Sequence, residues 1–334
     1  MSREFEIVVP PGKARERIDI FLTHFIENAT RTKVQEAIEA GHVLVNGNPT
    51  KASYKVSPKD VVHITLPKPS PQEVVAEDIP LEIVFEDDYL IIVNKPAGMV
   101  THPAYGNFTG TLVNALLYHS GGKLSDVNGD DSRVSARAGI VHRLDKDTSG
   151  LIVTAKDNWT HAKLAKQFSQ RTVDREYWAI VWGLFGKNKK GLIDANLGRS
   201  KSDRKKIAVI ETGKHAVTEY EVIREFDFLS LIKLKLRTGR THQIRVHLHH
   251  IGHPVFGDPT YHGRSMMWGK ITKRSKVLTQ ELLQIIERQA LHAKTIGFIH
   301  PKTDKKMFFN SKLPDDMRET LDVLRGVTDN VLDV

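Results

Sequence analysis

Apolar residues in the first 66 positions repeat at two periods. Ile18, Phe21, Leu22 and Phe25 fall at helical spacing and predict a short helix with one apolar face. Val34, Ala37 and Ile38 repeat that spacing between Thr30, a good N-cap, and Gly41 beyond the end. Val43-Leu44-Val45 runs into Asn46-Gly47, a pair suited to a two-residue hairpin turn. Val62, Ile64 and Leu66 then alternate as a closing strand. Residues 13–67 are thus expected to form a small module of two helices and a sheet. Pro67-Lys68-Pro69-Ser70-Pro71 opens a semi-rigid linker, taken as 68–74.

Beyond the linker strand-like runs dominate: Leu81–Phe85, Tyr89–Val93, Leu151–Ala155, Tyr177–Val181 and Leu229–Leu236, with Ala138–Val141 as a shorter one. A helix is predicted over Trp159–Phe168 after Asp157 and Asn158. Another has Thr241 as its cap, Ile244, Leu248 and Ile251 on one face, and Gly252 and Pro254 as its stop. Hairpin signals outnumber strand–helix–strand alternation, so residues 75–315 read as an α+β domain with a mixed, mostly antiparallel sheet and flanking helices. Residues 316–334 read as a C-terminal tail, with a helix over Met317–Leu324 and a frayed acidic end.

Composition narrows the class. With 334 residues, 40% hydrophobic and 27% charged, the chain is long enough for two domains and ordinary for a soluble protein. It has no apolar run near about 18 residues, so no membrane span is expected. Met1–Glu6 lacks a signal-peptide core. Zero cysteines exclude disulfides, thiolate metal sites and a cysteine nucleophile, and suit a cytoplasmic location. The formal charge of +9 favours a polyanionic partner.

Candidate chemistry concentrates in two segments. His142-Arg143-Leu144-Asp145-Lys146-Asp147-Thr148-Ser149-Gly150 is turn chemistry between two predicted strands. It can hold the Asp145 carboxylate at a fixed point between Arg143 and Lys146, as a nucleophile or general base requires. Leu236–Leu248 carries Arg237, Arg240 and Arg245 at a strand-to-helix junction, with His242, Arg245 and His249 at helical steps. Such a junction can bind phosphate or pair with a catalytic carboxylate. Five histidines between His242 and His253 invite a metal. The stretch is crowded with arginines and has no carboxylate before Asp258, so a polar helix face is preferred and no metal is expected. Arg199–Lys206 carries five cations against one anion, among them Arg204, Lys205 and Lys206. With Lys187–Lys190 it forms a basic patch suited to phosphate, against the blander reading of a solvated loop. Arg31 and Lys33 in a first helical turn mark a further phosphate site or simply extend into water. Tyr177 opens an alternating strand and, on its own, reads as core.

Together these residues resemble the RNA pseudouridine synthase family that modifies large-subunit ribosomal RNA and tRNA. The resemblance spans about residues 13 to 315 and rests on five ordered blocks. These are Asn94-Lys95-Pro96-Ala97-Gly98 with His102-Pro103, then His142–Gly150, then Tyr177–Gly183, then Arg240-Thr241-His242-Gln243-Ile244-Arg245, and last Leu291-His292-Ala293 with Phe298–Pro301. The N-terminal module is similar to the RNA-binding fold named after small-subunit ribosomal protein four.

The resemblance implies a bifurcated sheet with a central cleft, and conversion of uridine to pseudouridine without cofactor or metal. It puts Asp145 in the catalytic position, Arg245 as its partner and Tyr177 against the uracil. Arg143 would fill the vacated stack or hold phosphate, and Lys95, Arg240 and His242 would contact substrate. The expected partner is large-subunit ribosomal RNA or a pre-ribosomal particle, with tRNA as the alternative; a monomer is expected. A non-catalytic ribosome-assembly factor and an RNA N-glycosidase are the competing classes.

Overall fold

Asn46 and Gly47 both take positive φ, 49° and 81°, the backbone that a two-residue turn demands and that glycine adopts without penalty. The computed structural model describes residues 3–13, 15–26, 30–66, 74–104, 106–122, 124–125, 138–200, 202–203, 206–265 and 272–332. They divide into two units, Met1–Pro71 and Gln72–Val334. Most of the expected linker lies outside the described residues.

The first unit runs β1 (Arg3–Val8), α1 (Ile18–Phe25), α2 (Arg31–Glu39), β2 (Val43–Val45), β3 (Asn48–Pro49) and β4 (Val61–Leu66). Its antiparallel sheet has the order β1-β4-β2-β3. The sheet therefore begins at Arg3, ahead of the expected start at 13, because β1 pairs with the whole of β4. Ile18, Phe21, Leu22, Val34 and Ile38 pack on Val43, Val62 and Ile64. Phe25, expected on the buried face, is 47% exposed and lies at the helix end with its ring 4.6 Å from that of Phe21.

Asp19, fully buried, ties the two helices together. Its carboxylate accepts from Arg17 Nε and Nη2 (both 3.0 Å), Arg31 Nε (2.9 Å) and Gln35 Nε2 (2.7 Å). The Arg17 hydrogen bond leads in holding the carboxyl far below its ordinary range. Because the folded value lies below the unfolded one, this stabilisation is complete above about pH 4 and fades as pH falls further. Asp19→Asn is expected to destabilise the unit by about 3 kcal/mol at pH 7, and by less at pH 3. Urea unfolding at both pH values checks it; an equal loss at both would remove the ion pair as the cause.

The second unit runs β5 (Ile83–Glu86), β6 (Leu90–Lys95), α3 (Leu112–His119), β7 (Ser149–Ala155), α4 (Asn158–Gln170), β8 (Asp174–Trp182), β9 (Lys190–Arg199), β10 (Ile207–Val209), β11 (Lys214–Glu225), β12 (Leu229–Leu236), α5 (Gln243–His250), α6 (Lys273–Ile285), β13 (Leu291–Ile299), β14 (Lys306–Asn310) and α7 (Asp315–Leu332). Among the described residues one ten-stranded sheet holds every strand of this unit, in the order β10-β9-β11-β12-β8-β13-β7-β6-β5 with β14 on β13. All pairings are antiparallel except β13 with β7. The sheet forks at β13: β7 pairs only at His292 and Ala293, and β14 takes over from Thr295. The α+β class and the mixed, mostly antiparallel sheet agree with the reading of the sequence.

Two local expectations differ. Ala138–Val141 is not a strand: Gly139 turns the chain with φ 73°, and only Ile140 makes a bridge, to Thr154. The helix expected over Met317–Leu324 is present but longer, α7 (Asp315–Leu332), and its Met317, Leu321 and Leu324 are buried in the main core rather than forming a tail. Its apolar spacing continues the unit rather than ending it.

Candidate active site

The segment Leu144–Asp147 is irregular, yet each of its four carbonyls has a donor. Leu144 O accepts from Thr101 Oγ1 (2.8 Å), Asp145 O from the backbone N–H of Thr148 (3.1 Å), Lys146 O from Lys95 Nζ (3.1 Å) and Asp147 O from Arg288 Nη1 (3.0 Å). Arg288 is itself held by Asp316 through Nε (2.7 Å) and Nη2 (2.9 Å). Beyond the loop, Gly150 sits at φ 114° against β13, where any Cβ would run into the backbone of Ala293. A loop with its carbonyls satisfied and its exit strand wedged this closely presents its side chain at a fixed point.

That side chain is Asp145, 20% exposed, whose Oδ2 accepts from Arg245 Nη1 at 3.1 Å. Arg245 lies on α5, nearly buried, and is gripped from behind by the fully buried Asp258 through Nε (2.6 Å) and Nη2 (2.9 Å). Asp258 Oδ1 also accepts from the backbone N–H groups of Thr260 (2.8 Å) and Tyr261 (3.2 Å). The Tyr261 ring lies 5.0 Å from the guanidinium. Burial works to discharge Arg245, but the hydrogen bonds and negative charges of Asp258 and Asp145 together outweigh it and hold the group protonated.

His242, the left-handed N-cap of α5 with φ 53°, places Nε2 4.0 Å from Asp145 Oδ2. Burial lowers its pKa and favours the neutral ring. Its Nδ1 lies 2.9 Å from the Tyr261 hydroxyl, which already accepts from Ile207 N–H at 3.1 Å. The expected Thr241 cap is absent. Instead the Gln243 Oε1 accepts from Thr238 Oγ1 (2.7 Å) and Arg240 N–H (3.0 Å) and pins the turn.

Asp145 opens on a cleft of about 400 Å³ whose walls include Tyr177, Phe168, Arg175, Arg143 and Arg240. Tyr177 is buried in β8, and burial pushes its phenol pKa upward. Arg143 and Arg240 are exposed.

Of the other residues singled out in the sequence, Lys95 is not a substrate contact. It is fully buried, and its amine donates to Pro96 O (2.7 Å), Met99 O (2.8 Å) and Lys146 O. Burial pushes its pKa down to about 7. Those carbonyls require a donor there, so the lysine supports the loop from inside. Arg31 is committed to Asp19, while Lys33 is exposed in the first turn of α2. Arg204 and Lys205 lie outside the described residues. Lys206 lines a different cavity, beside His249 and His262, and stands 3.8 Å from Asp203. In the second basic run, Lys189 pairs with Glu225 and Lys190 with Glu221 (3.1 Å), so internal partners share their charge. Among the described residues no three His, Asp or Glu side chains group as a metal site would require.

Asp258, Tyr261, Arg175 and Arg288 went unnoticed in the sequence. Asp258 left one trace, as the first carboxylate after the arginine block. The others act through the fold and left none.

Residues 89–250 match the RNA pseudouridylate synthase family, and residues 16–62 match the S4 domain. An uncharacterised RNA pseudouridine synthase of Chlorobaculum parvum is 48% identical over 93% of this chain and 94% of its own length. The ribosomal large subunit pseudouridine synthase D of Zymomonas mobilis is 45% identical over 90% of this chain and 92% of its own. Among solved structures, human RNA pseudouridylate synthase domain containing 4 is similar with a TM-score of 0.54 and 25% identity, over 73% of this chain and 92% of that one.

Proposed function

The chain belongs to the RNA pseudouridine synthase family and carries an S4 domain, and we propose that it isomerises uridine in large-subunit ribosomal RNA with Asp145 as the catalytic group. The observation that carries the catalytic assignment is the line Asp145–Arg245–Asp258: a carboxylate on a fully anchored loop, facing a cleft, with its partner arginine immobilised from behind.

In the reaction the C1′–N1 bond breaks, the uracil turns in the cleft, C5 bonds to C1′ and the C5 proton leaves. One guanidinium between two carboxylates leaves a net negative charge on the group. Such a charge stabilises or traps an electron-poor ribose carbon, or draws a proton from the ribose, much as glycosidase carboxylates act. Arg245 orients Asp145, and His242 stands 4.0 Å from the same carboxylate. The target base leaves its stack to reach Asp145. Tyr177 lies against it and assists removal of the C5 proton, while the exposed Arg143 and Arg240 hold phosphates at the rim. The S4 domain binds the RNA, with Lys33 exposed for phosphate.

The large-subunit target follows the relative from Zymomonas mobilis, named for that substrate. The test is tritium release from RNA labelled at uridine C5, because that hydrogen leaves only when C5 forms the new glycosidic bond. Unmodified large-subunit ribosomal RNA is expected to release tritium with the wild type and not with Asp145→Asn. Release from tRNA alone would move the target. Free uracil with an abasic site would indicate N-glycosidase chemistry.

A further inference from the structure

Arg175, on β8 two residues before Tyr177, is a half-buried cation in the wall of the Asp145 cleft. Its guanidinium packs over the Phe168 ring at 5.3 Å and stands against the Tyr177 phenol. Among the described residues it forms no ion pair, and its Nε is buried without a hydrogen-bond partner. The other cations around the site are placed differently: Arg245 is held by two carboxylates, and Arg143, Arg171 and Arg240 are exposed. A partly buried guanidinium with no anion is unfavourable unless something else supplies negative charge. Its neighbours also keep it isolated: His142, stacked on the same Phe168 at 4.5 Å, uses Nε2 to accept from Val153 N–H (3.1 Å) and stays neutral.

We propose that Arg175 is a catalytic residue that binds a carbonyl oxygen of the target uracil and stabilises the negative charge appearing on the base when C1′–N1 breaks. The inference rests on the reading of Asp145 as the catalytic group. On any route open to Asp145, the electron pair of the C1′–N1 bond departs with the base and spreads over N1, O2 and O4. When C5 bonds to C1′, a base pair of electrons returns to form that bond, C5 loses its proton and N1 gains one, so the isomerisation balances. The developing anion thus lies in the cleft that Tyr177 and Arg175 both line, and a preorganised cation there acts in the transition state more than in the ground state. A phosphate is the poorer occupant, because the exposed Arg143, Arg171 and Arg240 of the same cleft are more accessible to the RNA backbone.

The test compares wild type, Arg175→Gln and Arg175→Lys on large-subunit ribosomal RNA transcribed with uridine, 2-thiouridine or 4-thiouridine, reading pseudouridine or thiopseudouridine by nucleoside chromatography. Sulfur is the weaker acceptor, so replacing the contacted oxygen removes the same interaction that the variant removes. Arg175→Gln is expected to lower kcat about 100-fold with KM within a few-fold. One of the two thio substitutions should slow the wild type but add nothing to Arg175→Gln. Thio penalties that are equal in wild type and variant at both positions would overturn the proposal, as would a loss confined to KM with a changed salt slope, which marks a phosphate contact. Should Arg175→Gln fail to fold, the same comparison with Arg175→Lys decides. Asp145→Asn runs alongside: if it retains turnover, the reading of the site fails and this inference with it. If it is inactive while Arg175→Gln is normal, only the inference fails.

Discussion

Asp145→Asn is expected to lower single-turnover pseudouridine formation at least about a thousandfold, a barrier increase of about 4 kcal/mol, while RNA affinity stays within a few-fold. Asparagine keeps the shape, and its carbonyl can still accept from Arg245, so the loop and its four anchored carbonyls have no reason to move. What disappears is the negative charge opposite the reacting ribose. Filter binding and single-turnover rates on the same RNA separate the two effects. Equal losses in binding and turnover would instead make Asp145 a structural residue.

The second large effect is expected at Asp258. Asp258→Asn puts an amide N–H₂ where Arg245 needs an acceptor and leaves a nearly buried guanidinium short of its main counter-charge. Breaking such a pair costs about 3–5 kcal/mol, a large share of a typical domain's stability. Turnover should fall with it, because Arg245 then no longer presents Nη1 to Asp145. The check is urea unfolding of Asp258→Asn in the wild-type and Arg245→Met backgrounds. The loss should be much smaller in the second, where the pair is already gone. An undiminished loss would mean that Asp258 acts through its backbone contacts to Thr260 and Tyr261 instead.

Short-range pattern made parts of this arrangement readable in advance. Thr30 does cap α2 and Asp157 does cap α4. Leu229–Leu236 is a strand over its predicted length, and the Asn46-Gly47 turn is where the dipeptide places it. Asp145 and Arg245 each stand in a dense local cluster of polar residues, which marks the two segments, while their pairing is implied only by the resemblance to the family. What makes that pair rigid was hidden. Asp258, Arg288 and Lys95 reach the loop or its partner across long sequence separations, and no local period records such contacts. Lys95 reads as a substrate contact only from its place in the first family block, and no local pattern records that the sheet folds its amine inward. The extent of α7 was missed because a helix boundary depends on what the helix packs against.

The four satisfied carbonyls of Leu144–Asp147 bear on how one uridine is chosen over another. A protein loop with every backbone acceptor engaged resists bending towards an awkwardly placed base, so the deformation is expected to fall on the nucleic acid. Rates at different uridines should then rank by the local opening free energy of the RNA, roughly tenfold for each 1.4 kcal/mol at 25 °C. A nucleotide already bulged or mispaired would react ahead of one in a perfect helix, even with identical flanking sequence. Selectivity of this kind is written in the softness of the RNA fold, and the enzyme reads it by refusing to yield.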